Sequence, residues 1–218
     1  MHGFIFDMDG CLLDSIIVWR SADEFACELA GIPFTKELHD HITTLTLEEA
    51  ATFFHEHFGV MESAADIVDA MLGHMLGFYE SEVEAKRGAL DFVRAIRESG
   101  LPLCVLSSSP QSFLQAGLTH TGLRSFFEDH LVISAEDRGW AKRKPDTFDK
   151  VCALLGTDPS ETWLFDDSWY ALARAREAGL RTVGVFSDDN CGTHEDLARH
   201  SEIVVDDFTQ LDPRSFLP

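Results

Sequence analysis

Two carboxylates at the end of the first apolar segment are the residues best placed to do chemistry. The predicted strand Gly3–Met8 is almost entirely apolar and contains Asp7 near its end, and Asp9 and Gly10 follow directly. In an open parallel sheet, ligands bind beyond the carboxyl ends of the strands, where these acids emerge. Solvation of a strand end is the simpler explanation, but two acids so early in an apolar strand favour a site. Asp7 could then face a substrate, with Asp9 beside it and its backbone carbonyl also available.

A second acidic pair, Asp166–Asp167, follows another apolar strand, Thr162–Phe165. Carboxylate oxygens from two strand ends suit Mg²⁺, which keeps several waters and bridges to phosphate. Two rival pairs exist, because Asp188–Asp189 lies in a loop and Asp206–Asp207 ends the last predicted strand, which we expect at the sheet edge. Solvated turns explain both rivals more simply, although spacing alone does not exclude Asp206–Asp207.

A run of hydroxyls, Ser107, Ser108 and Ser109, ends a third apolar strand directly before Pro110. Proline is well placed as the first residue of a helix, and the free backbone N–H groups there bind anions. Ser107, the hydroxyl nearest the strand, is the better phosphate ligand, with Ser108 beside it. Ser109 is expected to cap the helix.

A short basic run, Lys142-Arg143-Lys144, precedes Pro145. A cation opposite the carboxylates would offset the charge that gathers around a phosphoryl group. A solvated basic loop is the alternative explanation. None of the ten histidines falls at a strand end with metal-ligand spacing, so no histidine metal site is expected.

The elements that must position these residues alternate between short apolar strands and helical patterns. This rhythm predicts an α/β fold with a doubly wound, Rossmann-like parallel sheet. The predicted strands are Gly3–Met8, Pro102–Leu106, His130–Ser134, Thr162–Phe165, Thr182–Phe186 and Glu202–Val205. The predicted helices between them are Gly88–Ser99, Gln111–Thr119, Asp146–Leu155, Ser168–Ala178 and His194–His200.

The alternation is interrupted once, because residues 15–86 contain no convincing strand. The segment Ser63–Lys86 has a wide apolar stripe that includes Met71 and Met75, which is typical of a helix packed against other helices. Three further helices are predicted over Ile16–Ala30, Lys36–Ile42 and Leu47–His57. We therefore predict a core domain of residues 1–15 and 87–218, with a small helical domain, residues 16–86, inserted in it.

The composition excludes several classes of protein. The 218 residues carry a formal net charge of −21 and are 45% hydrophobic, so the chain can bury a core and is not expected to be disordered. The excess of acids argues against nucleic acid and anionic membranes as partners. No apolar run reaches the ~18 residues of a membrane span. Five scattered cysteines without a Cys-x-x-Cys pair suggest neither disulfides nor zinc, so a reduced, cytoplasmic protein is expected.

Taken in order, the four chemical elements resemble the motifs of the haloacid dehalogenase superfamily. Residues 7–10, Asp-Met-Asp-Gly, are similar to its first motif, and Ser107 stands at its second. Lys142 stands three residues before Pro145-Asp146, as in the third motif, Lys-x-x-Pro-Asp-x-Phe, and Asp166–Asp167 matches the fourth. The helical insert resembles the cap of the subfamily that includes β-phosphoglucomutase and phosphoglycolate phosphatase. Lys144 remains the alternative to Lys142.

The resemblance implies phosphoryl transfer through an aspartyl-phosphate. Asp7 would attack phosphorus, and Asp9 would protonate the leaving oxygen and then activate water. Asp9 also separates this chain from dehalogenase and phosphonatase relatives, which lack an acid there. The implied ligands of Mg²⁺ are Asp7, the Asp9 carbonyl, Asp166 and Asp167, with Asp166 acting directly or through water. The implied phosphate-binding residues are Ser107, Ser108 and Lys142.

The helical insert distinguishes hydrolysis from mutase chemistry. Proteins similar to β-phosphoglucomutase usually place a His five positions after the acid corresponding to Asp14, and an Arg in the second cap helix, to hold a distal phosphate. Here Trp19 and Leu47 take those places, although Arg20 is adjacent. The resemblance therefore implies a phosphatase acting on a sugar phosphate or similar small metabolite, with a phosphosugar mutase as the alternative. Trp19 and Arg20 are the predicted substrate contacts within the insert.

A phospho-accepting receiver module is the alternative from a different class, since it also combines acids, Ser or Thr and Lys on a parallel sheet. Receiver domains are about half this length, lack a helical insert and accept phosphate on a middle strand. The enzyme is therefore the better interpretation, and we expect a monomer or weak homodimer.

Overall fold

The computed structural model describes residues 2–42, 45–187 and 192–218. The chain forms two compact units. One unit is helical and comprises Ile17–Glu82, and the other contains the residues up to Ile16 together with Val83–Pro218. No helix in the described ranges is long and apolar enough to cross a bilayer.

The described residues of the helical unit form four α-helices. They are α1 (Ile17–Ala30), α2 (Lys36–Ile42), α3 (Leu47–Phe58) and α4 (Ala64–Ser81). The apolar stripe of α4 is buried at Ile67, Met71, Met75 and Tyr79, so the methionines belong to the core of this unit. Its N-cap Ser63 accepts a hydrogen bond from the Asp66 backbone N–H, which satisfies a free donor of the first turn.

Helix α4 ends at Ser81, whereas the apolar pattern predicted helix as far as Lys86. The reason is a competing backbone pairing in the second unit. The Asp14 N–H donates to the Glu84 carbonyl over 3.0 Å, and the Lys86 N–H donates to the Leu12 carbonyl over 2.8 Å. Residues 84–86 therefore run beside residues 12–14 instead of continuing the helix.

The second unit contains the predicted doubly wound sheet, and the six strands found in its described residues are all parallel. Their order across the sheet is β3-β2-β1-β4-β5-β6. The strands are β1 (Gly3–Phe6), β2 (Leu103–Ser107), β3 (Val132–Ser134), β4 (Thr162–Asp166), β5 (Arg181–Val185) and β6 (Ile203–Val205). This confirms the predicted fold class and puts the last strand at one edge.

Outside the helical unit, the described part of the chain has five α-helices between or beside the strands. They are α5 (Ala89–Glu98), α6 (Gln111–His120), α7 (Pro145–Leu155), α8 (Trp169–Glu177) and α9 (His194–His200). Pro145 is the first residue of α7, where a missing N–H costs no helical hydrogen bond. Pro110 was expected in the same position of α6, but it is the N-cap with extended backbone, and the helix begins one residue later.

The sheet buries side chains on both faces, since alternate residues of each strand point to opposite sides. On one face Phe6 stacks on Phe165 with ring centroids 4.9 Å apart, and Phe92 of α5 packs 5.3 Å from the same ring. On the other face Ile5 and Leu164 join the apolar cluster formed with α7 and α8. The sheet is thereby held rigidly, which fixes the positions of the residues that follow its strands.

Candidate active site

The predicted site residues of the second unit lie near the carboxyl edge of three neighbouring strands, β2, β1 and β4. Phe6 of β1 is in register with Val105 of β2 and with Phe165 of β4. The residues that follow, Asp7 and Asp166, therefore lie level with each other. The Asp7 backbone N–H donates to the Phe165 carbonyl over 2.8 Å, which ties the two strand ends together.

Three carboxylates and one ammonium form the centre of this site. Asp7, Asp166 and Asp167 are buried, and each offers an oxygen that lies within 4.8 Å of the others. Lys142 enters from the loop between β3 and α7, with its Nζ 2.8 Å from Asp7 Oδ1 and 2.5 Å from Asp166 Oδ2. This is the only group of three or more His, Cys, Asp or Glu with metal-binding spacing among the residues that the structure describes.

Burial and mutual repulsion perturb the ionisation of these groups. Burial, with repulsion from Asp166 and Asp9, outweighs the attraction of Lys142 and raises the pKa of Asp7 to about 7. Burial, followed by repulsion from Asp7 and Asp166, also raises the pKa of Asp167 well above its usual range. Burial alone would lower the pKa of Lys142, but Asp166 and Asp7 outweigh it and raise that pKa. One ammonium therefore does not neutralise the three acids.

The donor set fits a divalent metal ion with a preference for oxygen. Three buried carboxylates with one lysine leave an excess of negative charge that a cation would balance, and hard oxygen ligands suit Mg²⁺. Gly10 has a φ of +73°, and a Cβ there would lie 1.9 Å from Asp167 Oδ2. Only glycine therefore lets the loop after β1 approach Asp167 this closely.

The Asp9 carboxylate has a different environment from these three acids. Its Oδ1 accepts a hydrogen bond from Ser15 Oγ at 2.6 Å, and its Oδ2 accepts bonds from Ser109 Oγ at 2.6 Å and from Ser107 Oγ at 3.3 Å. Its orientation is therefore fixed by hydroxyls. The motif resemblance implies that the Asp9 backbone carbonyl is a ligand of the metal ion, and this role of Asp9 stays a prediction.

Sequence reasoning missed Ser15 and Ser109 as partners of Asp9. Ser109 was expected to cap α6, but its hydroxyl donates to Asp9 instead, and α6 has no side-chain cap. Its position two residues after Ser107 was the available signal, because residues i and i+2 share a direction in extended backbone. The sequence contained no signal for Ser15 beyond its place directly after Asp14.

The two predicted phosphate-binding serines differ in exposure. Ser107 is buried and accepts a hydrogen bond from the Ser109 backbone N–H at 3.0 Å. Ser108 is exposed and lines a cavity of about 240 Å³ together with Lys142 and Tyr170. Ser107 therefore lies beside Asp9, and Ser108 lines the same cavity as Lys142.

The basic run divides among three environments. Lys142 is buried among the acids, whereas Lys144 is exposed at the N-cap of α7. The Arg143 guanidinium lies over the Tyr170 ring, 4.0 Å from its centroid. Only Lys142 brings its ammonium to the acid cluster, and the geometry therefore favours it over Lys144 as the phosphate-contacting lysine.

The rival acidic pair after β6 has ordinary ion-pair and capping roles. Asp207 accepts a hydrogen bond from Arg87 Nε at 2.8 Å and caps a short 3₁₀ turn through Thr209. Asp206 pairs with His194 at 2.8 Å, and this hydrogen bond lowers the pKa of Asp206. Residues 188–189, the other rival pair, lie outside the described residues.

Trp19 and Arg20 lie on α1 of the helical unit. Trp19 is exposed, with 44% of its surface accessible. Arg20 Nε lies 3.1 Å from Glu24 Oε1, and its guanidinium lies 5.5 Å from the centroid of the Phe34 ring. Their predicted contacts with substrate stay predictions.

The acid cluster predicts an unusual effect of mutation on stability in protein freed of metal by a chelator. Because the pKa of Asp167 is raised in the folded state, the ionised carboxylate opposes folding, and this loss grows as the pH rises through that raised pKa. We expect Asp167→Asn to increase the free energy of unfolding at pH 8 by about 1 kcal/mol or more. The gain should shrink toward pH 4, where the wild-type carboxyl is protonated. Urea unfolding across this pH range measures it.

Asp206→Asn is the matched control, because the pKa of the Asp206 carboxyl is lowered in the folded state. Its ionised form therefore contributes stability above the unfolded pKa, and that contribution is lost as the pH falls through the lowered value. This variant should be slightly less stable than wild type at pH 8. Equal destabilisation by both substitutions would contradict the account of the acid cluster.

The fold and the site together define a class: a doubly wound α/β protein with an acidic, lysine-containing site at the carboxyl edge of its central strands. The family model of the haloacid dehalogenase-like hydrolases matches residues 1–179. The chain belongs to this family, as the motifs predicted.

Individual relatives are distant but similar along most of their length. Validoxylamine A 7'-phosphate phosphatase from Streptomyces hygroscopicus subsp. limoneus is 23% identical over 220 residues, covering 95% of this chain and 94% of the relative. Hexitol phosphatase B from Escherichia coli (strain K12) is 26% identical over 183 residues, covering 83% and 82%. A crystal structure of a putative beta-phosphoglucomutase from Thermotoga maritima has a TM-score of 0.77 at 21% identity, covering 100% and 97%. The last comparison shows a common fold.

Proposed function

We propose that this protein is a Mg²⁺-dependent phosphatase that hydrolyses a small phosphate monoester through an aspartyl-phosphate on Asp7. The observation that carries the proposal is the cluster of Asp7, Asp166 and Asp167 around Lys142, with Asp9 held separately by hydroxyls. A nucleophile, an acid–base group and cations for the phosphoryl oxygens are the parts that this reaction needs.

The metal ion would be held by the carboxylates of Asp7 and Asp167 and by the backbone carbonyl of Asp9, with Asp166 as a direct or water-mediated ligand. When bound, Mg²⁺ neutralises charge on the phosphoryl oxygens and fixes the phosphate in place. The excess of negative charge in the cluster supports this assignment.

In the first step, a carboxylate oxygen of Asp7 attacks phosphorus, and the bond between phosphorus and the ester oxygen breaks. Asp9, in its protonated form, gives its proton to that oxygen, and the alcohol leaves. Lys142, Ser107 and Ser108 are the proposed partners of the three phosphoryl oxygens, and Lys142 supplies the positive charge from the protein.

In the second step, Asp9 is a carboxylate and accepts a proton from water. The water oxygen attacks phosphorus, the bond to Asp7 breaks, and inorganic phosphate is released. The Asp7 carboxylate and the protonated Asp9 are thereby restored. The hydroxyls of Ser15 and Ser109 support this role, because they hold the Asp9 carboxyl in one orientation through both steps.

A phosphorylated carbohydrate or similar small metabolite is the substrate class that we propose. Two relatives are named as phosphatases of a 7'-phosphate and of hexitol phosphates, which supports such a substrate here. A phosphosugar mutase is the alternative, but Trp19 and Leu47 take the places of the residues that would grip a second phosphate. A cytoplasmic location and a monomeric or weakly dimeric state remain predictions from the sequence.

A panel of phosphate esters, including hexose and hexitol phosphates, tests the function. We expect inorganic phosphate to be released in the presence of Mg²⁺, and release to stop when a chelator removes the metal and to resume when Mg²⁺ is added back. Analysis of the sugar product separates the candidates, since a mutase gives an isomerised sugar phosphate. Full activity in excess chelator would contradict the proposal.

A further inference from the structure

One buried cation has no part in the proposed reaction. Lys86 is 7% exposed, and Lys142 is the only other buried lysine in the described ranges. The Lys86 ammonium donates to the Gly10 carbonyl at 2.7 Å and to the Phe186 carbonyl at 2.9 Å, and it lies 3.6 Å from Asp14 Oδ1. Two hydrogen bonds to backbone carbonyls and an ion pair with the Asp14 carboxylate offset the cost of burying the charge.

These contacts join two parts of the second unit that are far apart in sequence. Gly10 belongs to the loop that carries Asp7 and Asp9, which we name the catalytic loop (residues 7–14). Phe186 directly follows β5. The ammonium of Lys86 therefore links the catalytic loop to the end of a strand two positions away from β1 in the sheet.

The Gly10 carbonyl is a sensitive point at which to hold this loop. Gly10 is in the left-handed region, with its backbone packed against the Asp167 carboxylate so closely that no Cβ would fit. It also directly follows Asp9, whose carbonyl is the proposed metal ligand. The Gly10 and Asp9 carbonyls belong to successive peptides joined at the Gly10 Cα, so a change in the Gly10 backbone dihedrals would alter both the approach to Asp167 and the direction of the Asp9 carbonyl relative to the held Gly10 carbonyl.

The backbone around Lys86 gives its side chain a fixed origin. The Lys86 N–H donates to the Leu12 carbonyl, and Leu13 forms an antiparallel bridge with Ala85. The side chain then reaches back from this pairing to Gly10. The segment 84–86 thus holds the catalytic loop at two points, once through the backbone and once through the ammonium.

We propose that Lys86 is a positioning residue for the catalytic loop: its ammonium fixes the Gly10 carbonyl so that Asp7 and the Asp9 carbonyl keep the arrangement that the metal and the phosphoryl group require. The inference rests on the proposed function, since it concerns the same reaction. It differs from the role of Lys142, because the hydrogen bonds of Lys86 go to backbone carbonyls rather than to the cluster of Asp7 and Asp166.

Steady-state kinetics on Lys86→Met and Lys86→Arg test the proposal. Lys86→Met removes all three donors, and we expect kcat to fall about 10- to 100-fold while KM changes less than about 3-fold, because misplacement of reacting groups lowers the rate of the chemical step. Lys86→Arg keeps the charge and part of the hydrogen bonding, and its kcat should lie between that of the wild type and that of Lys86→Met. Lys150→Met, which removes an exposed lysine paired with Asp146, is the matched control and should behave as wild type.

A Mg²⁺ titration, followed by the rise in thermal midpoint, gives a readout independent of turnover. Positioning predicts that Lys86→Met binds Mg²⁺ at least about 5-fold more weakly, because the ligands are displaced. A role in charge compensation alone predicts the opposite, since removing a cation strengthens the attraction for the metal. Tighter Mg²⁺ binding, or a kcat within about 3-fold of wild type in folded Lys86→Met, would overturn the proposal.

Lys86 can still be tested if Lys86→Met does not fold or if the wild-type protein has no phosphatase activity. If Lys86→Met does not fold at 20 °C, Lys86→Arg decides: a kcat at least about 3-fold below wild type with unchanged KM supports the proposal, and a wild-type kcat assigns Lys86 to folding alone. If wild-type protein releases no phosphate from any ester, the proposed function fails. The Mg²⁺ titration still tests Lys86 in that case, because it needs no turnover.

Discussion

Asp7→Asn is expected to lower kcat for phosphate release by at least about 10³-fold, because it removes the nucleophile. The amide is nearly isosteric with the carboxylate, so the fold should be retained, but its nitrogen and weakly basic oxygen do not form an acyl-phosphate. Its neighbours Lys142 and Asp166 stay in place, and binding of the ester should therefore survive better than turnover. Stopped assays with a sensitive phosphate detector measure the loss.

The covalent step can also be observed directly. Wild-type protein quenched in acid during turnover should carry the added mass of one phosphoryl group on the peptide that contains Asp7, and Asp7→Asn should carry none. Asp206→Asn is the control, because it changes an acid after β6 that is engaged by His194, and it should turn over at the wild-type rate. More than about 1% of wild-type kcat in undeamidated Asp7→Asn would contradict the assignment of the nucleophile.

Asp9→Asn is expected to lower kcat for alkyl phosphates by about 10²- to 10⁴-fold, the contribution typical of a positioned general acid–base group. The loss should depend on the leaving group. An alkoxide needs a proton as it departs, whereas nitrophenolate does not, so p-nitrophenyl phosphate should lose little in the first step.

The second step still needs a base to activate water, whatever the leaving group. With p-nitrophenyl phosphate, Asp9→Asn should therefore show a burst of nitrophenol followed by slow turnover, with the phosphoryl group remaining on Asp7. Rapid mixing measures the burst, and its amplitude should approach one per active site. An equal loss for alkyl and nitrophenyl esters, without a burst, would argue that Asp9 serves only the structure of the loop.

Much of this architecture could be predicted because its signals are local. Apolar strands that end in acids or hydroxyls predict both the parallel sheet and the residues at its carboxyl edge, and Asp7, Asp166 and Ser107 illustrate this. The helical character of α4 had an equally local signal, since the stripe through Met71 and Met75 repeats at the helical period.

What could not be predicted depends on the path of the chain in three dimensions. Spacing left Asp206–Asp207 open as a rival to Asp166–Asp167, because strand order is not encoded in local periodicity. The structure separates them: β4 is adjacent to β1, whereas β6 lies at the edge. Likewise, the motif spacing favoured Lys142 but left Lys144 as an alternative, and the structure separates them, since Lys142 is buried and Lys144 is exposed at the N-cap of α7.

The serine contacts of Asp9 illustrate the same limit. A serine before a helix is ordinarily a cap, and this expectation failed at Ser109 because a buried carboxylate competes for its hydroxyl more strongly than exposed backbone does. Lys86 follows the same logic. Nothing in its local sequence indicates that it reaches the Gly10 carbonyl, a residue 76 positions earlier.

The central position of β1 has a consequence for synthesis of the chain. Phe4 pairs with Leu103 on one side and with Trp163 on the other. Phe4 and Trp163 are 159 positions apart, so β1 has both its edges covered only after the intervening chain has been synthesised, and such long-range pairing is slow to form. During that interval Phe4, Ile5 and Phe6 are an unpaired apolar segment, the kind that chaperones bind and that aggregates when they do not. Asp7 is thus synthesised about 160 residues before Asp166 and Asp167, the acids that complete its site.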